Sequence, residues 1–175
     1  MKQIAFSLLA FAIVIPTYAQ QNTQAHNSDA KHGEMNQRGD QKMGFSQDKT
    51  THQFLLYPDG GAIVVDTLGP DDAKSRDQVR AHLSHIAGMF AAGNFEAPLF
   101  IHDTVPPGVA TMARMREQIE YRYEETSKGG RVRIKSKSAP AVDAIHAFLL
   151  FQIAEHRTGD SPAITIDEAV SHDTP

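Results

Sequence analysis

Strict alternation between Ile119 and Lys135 constrains this chain more than any other feature. Ile119, Tyr121, Tyr123, Val132 and Ile134 fall on one side of two short runs, and Glu120, Arg122, Glu124, Arg131, Arg133 and Lys135 fall on the other. A period of two separates the faces of a strand. The pattern therefore predicts two antiparallel strands, dry on one face and solvated on the other, joined through Ser127-Lys128-Gly129-Gly130. The same signals occur earlier, where His52 to Tyr57 and Gly61 to Asp66 flank the turn sequence Pro58-Asp59-Gly60. Each hairpin is followed by an apolar run of helical period. Val79, Leu83, Ile86 and Phe90 follow the first, and Ile145, Leu149 and Ile153, widened by Phe148, follow the second. Gly60-Gly61 answers Gly129-Gly130, and Ile63 and Val65 answer Val132 and Ile134. These repeats predict an α+β fold: two hairpin–helix (ββα) units forming one four-stranded antiparallel sheet, covered on one face by two helices. In this alignment His52 falls with Tyr121 on the covered face.

The flanks read differently. Met1-Lys2, the apolar run Ile4 to Ile15 and the small-residue end at Tyr18-Ala19 are expected to form a signal peptide over residues 1–19, which directs the protein to the periplasm or the exterior. Residues 20–49 are rich in Gln, Asn, Asp and Ser and lack apolar periodicity, so a flexible arm is expected there. Residues 50–159 make the single α+β domain that 175 residues allow, and 160–175 a disordered tail. Between the repeats, Pro98-Leu-Phe-Ile101 reads as a short buried strand and Val109 to Arg116 as a brief helix. The chain has no cysteine, which excludes disulfides, thiolate metal sites and thiol catalysis. Its 17 basic residues against 21 acidic ones leave it mildly acidic, which argues against a nucleic-acid partner.

The chemistry-bearing residues are histidines and methionines. His82, His85 and Met89 share the flank of the first helix beside its apolar stripe, a spacing suited to ligating a metal or to a half-exposed face. His52 on the covered sheet face, and His26, His32, Met35 and Met43 in the arm, extend the set. Imidazole with thioether, and no carboxylate cluster, favours copper over calcium or magnesium, with zinc as the alternative. His102-Asp103 beside Pro106-Pro107-Gly108 has the types of an acid–base pair but no neighbouring nucleophile motif. The Arg131, Arg133, Lys135 ladder faces Glu120 and Glu124, so cross-strand pairing on a wet face accounts for it.

Several stretches taken together resemble a family of small secreted bacterial proteins of unsettled function. They are Met43-Gly-Phe-Ser-Gln-Asp-Lys-Thr-Thr-His52, the Pro58-Asp-Gly-Gly61 turn, Arg80-Ala-His-Leu-Ser-His-Ile86, Val105-Pro-Pro-Gly108 and Phe148 to Asp160. The resemblance spans about Met43 to Asp160 and implies a periplasmic protein with a His- and Met-bearing amino-terminal arm. Some members carry the name aspartate carbamoyltransferase. This chain has neither the Ser-Thr-Arg-Thr phosphate loop of that enzyme nor the cysteines of its zinc-binding regulatory chain. Where relatives have a His-His pair after the double threonine, it has His52-Gln53. The residues together lead to the expectation of a non-enzymatic periplasmic metal-binding protein that captures or handles copper. The alternatives are an interaction module that docks an envelope protein without metal, and a small enzyme using His102 and Asp103.

Overall fold

The computed structural model describes residues 18–69 and 71–167, with side chains from Ser28 onward. Two hairpins build its sheet. Strands β1 (Thr50–Tyr57) and β2 (Gly60–Thr67) form the first, β3 (Ile119–Glu125) and β4 (Gly129–Ser136) the second, and the sheet order is β1-β2-β4-β3. All neighbours are antiparallel. At the centre, Gly60 pairs with Lys135 and Asp66 with Gly129. Exchanging each β2 residue for its repeat counterpart in β4 returns the same ladder, so the predicted repeat is also a repeat of register. Glycine is required in both central strands: a Cβ on Gly129 would run into the Val65 carbonyl oxygen across the units, and one on Gly61 into the Leu55 oxygen within the first hairpin.

Two helices cover one face, as expected. Helix α2 (Ala73–Ala91) starts where the Asp72 carboxylate accepts from the Ser75 amide at 3.0 Å, and it buries Val79, Leu83, Ile86 and Phe90. Helix α5 (Ala139–His156) has Pro140 in its first turn, where no amide donor is missed, and it buries Ile145, Phe148 and Leu149. The core lies between these stripes and Phe54, Leu56, Ile63, Val65, Val132 and Ile134.

Three expectations are corrected outright and a fourth in part. Glu96–His102 is a short helix, α3, and not a strand. Pro98 falls in its first turn, and the five-residue apolar run Ala97–Ile101 carries no period that tells a buried helix from a strand. It is followed by α4 (Val109–Arg114), the predicted brief helix, which starts at Gly108 (φ 83°). The arm is not a loose segment, because Tyr18–Met43 forms helix α1. Its anchors are tertiary: Met35 is buried, Arg38 Nε donates to the Ile101 carbonyl at 2.9 Å, and Asp29 accepts from Arg157 at 2.7 Å. The tail is not loose over its described residues, 160–167. Ile164 bridges in parallel to Leu56 on the β1 edge, and Asp167 accepts from Arg131 and Arg133. That strap covers only part of the outer face: Arg133 is 5% exposed beneath it, whereas Glu120 and Arg122 stay exposed and Lys135 pairs with Glu120 across the strands at 3.5 Å, as expected. The proposed leader, apart from Tyr18 and Ala19, and residues 168–175 lie outside the described residues. Among the described residues no helix is long and apolar enough to cross a membrane.

Candidate functional site

Between the sheet and its helices lies an apolar cavity of about 70 Å³. Four elements each present one histidine to it: His52 from β1, His82 from α2, His102 at the end of α3 and His156 at the end of α5, with Met43 at the end of α1 beside them. The rings touch in sequence. His52 and His156 stack with centroids 5.4 Å apart and planes 11° from parallel, and His156 meets His102 edge-on at 5.1 Å. His82 stands edge-on to Phe45 at 5.6 Å, and Phe45 stacks on His52 at 6.2 Å. His52 and His156 also line a polar cleft of about 370 Å³, with His32, Asn36, Thr51, Gln53 and Asp160. They thus form the wall between cleft and cavity.

Burial governs their charge. It lowers His52 from 6.5 to about 4, and lowers His82 to about 4 with help from the neighbouring His52, His85 and Lys42. His156 falls well below 6.5 through burial and then the adjacent His52, His102 and His32. His102 is lowered by burial, against which the Gln152 hydrogen bond and Glu155 act weakly. A helix carboxyl end favours imidazolium, yet for His102 and His156 desolvation outweighs it. These four side chains are therefore neutral at physiological pH.

Neutral imidazole has one donor and one lone pair. His102 Nε2 donates to Gln152 Oε1 at 2.9 Å, which leaves the lone pair on Nδ1, a buried atom with no partner. His32 Nδ1 donates to the Glu155 carbonyl at 3.1 Å. His52 Nε2 is likewise buried without a partner. Orphaned polar atoms at the rim of an apolar cavity are costly unless something binds them. Among the described residues no three histidines or carboxylates converge on one point as a ready cage for an ion.

Of the residues singled out by sequence, His52, His82 and Met43 share the cavity, and His32 lines the adjoining cleft. The helix set divides: His85 is exposed and Met89 packs half-buried against the core. Met35 is buried under α1, and the side chain of His26 lies outside the described residues. Asp103 is exposed and caps α3 in the left-handed region (φ 50°), so it makes no buried acid–base dyad with His102. His146 is structural, its Nε2 donating to the carbonyls of Tyr57 and Gly60 at 2.9 Å each. Sequence spacing did not reveal that His102, Gln152 and His156 belong to the same site. Their one signal was two histidines near the ends of apolar runs.

Fold and cavity define an α+β domain of two ββα units enclosing a neutral histidine cluster. No family model, curated protein or solved structure matches the chain.

Proposed function

We propose that this is a periplasmic or secreted metal-binding protein that captures or handles copper, with no enzymatic step. One observation carries the reading: His52, His82, His102 and His156, with the Met43 thioether, wall a single apolar cavity that holds them neutral. Neutral imidazole is the ligating form, so these donors stay available at pH values where free histidine is protonated. The hydrogen bond from His102 to Gln152 is of the kind that orients a metal-ligating ring from behind. Soft thioether and imidazole donors, with no carboxylate in the cavity wall, favour copper(I) over magnesium or calcium. Copper(I) is content with few donors, whereas zinc seeks a closed tetrahedron, which makes zinc the secondary candidate. On this reading the polar cleft is the entrance, with His32 of α1 at its mouth. The leader-like residues 1–19 and the absence of cysteine suit an extracytoplasmic setting and the small secreted proteins the chain resembles.

The test is titration of the purified protein with Cu(I), Cu(II) and Zn(II), beside a His52→Asn/His156→Asn variant and a His85→Ala/Met89→Ala variant. Micromolar or tighter Cu(I) binding, lost in the first variant and kept in the second, is expected. Binding by the parent no tighter than that of an unstructured peptide sinks the proposal.

A further inference from the structure

The outer face of the sheet holds a second built site, independent of the histidines. Arg131 and Arg133 lie over the Tyr57 ring, with guanidinium carbons 5.6 and 4.8 Å from its centroid. Both donate to one oxygen of Asp167, each at 2.6 Å. Arg133 is held from behind by Asp59 and by the carbonyls of Gly61 and Ile134, so its position does not depend on Asp167. Arg131 Nε is buried without a partner. Desolvating two guanidiniums is expensive, and a solvated antiparallel face needs neither.

Asp167 arrives on an exposed strap. Residues 161–166 are all exposed. The strap holds β1 by the Asp160 carboxylate accepting from the Phe54 amide at 2.8 Å and by the Thr165 amide donating to the Leu56 carbonyl at 2.9 Å. Such pairing is how an extended peptide adds to a sheet edge.

We propose that the β1 edge and the Arg131–Arg133–Tyr57 niche form a docking site for an extended acidic segment of another protein, occupied here by the chain's own residues 160–167 as an internal stand-in. Charge complementarity selects the partner: a carboxylate that engages Nε and Nη2 of Arg131 together takes the bidentate fork, including the donor Asp167 leaves unused. Backbone pairing along β1 supplies affinity without sequence demands, and the carboxylate fixes register.

A labelled peptide with the sequence of residues 160–167 tests this against the full-length parent and an Asp160→Asn/Asp167→Asn variant whose strap is loosened. At least tenfold tighter binding to the variant is expected, abolished when Arg131→Gln is added or when the peptide's own final aspartate is replaced by asparagine. Equal affinity for parent and variant, or no binding to a variant that keeps the parent's circular dichroism, overturns the proposal. Should the variant not fold, excess peptide added to the parent is expected to accelerate amide exchange at Thr165. Unchanged exchange there, or a strand-exchanged dimer of the parent in place of peptide binding, also overturns it.

Discussion

A neutral buried histidine stores acid sensitivity. For His52 and His82 the folded pKa of about 4 lies below the usual 6.5, so between these values the unfolded chain binds protons that the native state refuses. Their neutrality favours the fold above pH 6.5, and that contribution is lost as the pH falls from 6.5 towards 4, at about 1.4 kcal/mol per pH unit for each such group. Urea midpoints measured at pH 7, 5.5 and 4.5 should decline steeply, and His82→Phe should flatten the decline. Arg133 acts oppositely, as a buried charge that binds Asp59 and shares Asp167 with Arg131; Arg133→Ala is expected to cost about 2 kcal/mol or more in urea unfolding. The inward face of His52 was legible from its alignment with Tyr121. The separation of His85 from His82 follows from helix geometry, because three residues leave about 60° between them, enough to turn one ring to water. The meeting of His102 with His156 was not legible, since nothing local encodes contact between two helix ends so far apart in the chain.

Elements with a long, clean period were read correctly, and those held by single tertiary contacts were not. The hairpins, α2 and α5 each carry an apolar face that specifies its own burial. Helix α1 has almost none: it rests on Met35, Met43 and the polar bonds of Arg38 and His32, so its sequence resembles a solvated arm. The strap likewise contributes two aspartates and one backbone pairing, too little to signal order. At the start of α4, Gly108 packs directly on the backbone of α5. A Cβ on Gly108 would sit 2.0 Å from the Ala144 carbonyl oxygen, at a φ that disfavours any side chain. Gly108→Ala should therefore destabilise by about 2 kcal/mol or more, read as a lowered thermal midpoint, whereas Gly33→Ala, which meets nothing, should be neutral or slightly stabilising.

The two ββα units share their central strand pair, so neither has a complete sheet alone. Unfolding is expected to be one cooperative transition, with far-ultraviolet circular dichroism and tyrosine fluorescence coinciding. Leu149→Ala, at a fully buried position on α5, should lower stability by about 3 kcal/mol without splitting that transition. The exchangeable β2–β4 register also means that the molecule contains its own comparison. Tyr121 pairs with Ile134 as His52 pairs with Val65, so the second half displays the first half's inner surface built without imidazole. A doubled scaffold is redundant in architecture and need not be redundant in chemistry. The second half keeps the sheet standing with Tyr121 where the first half places His52, and it still sends His156 from α5 into the same cavity.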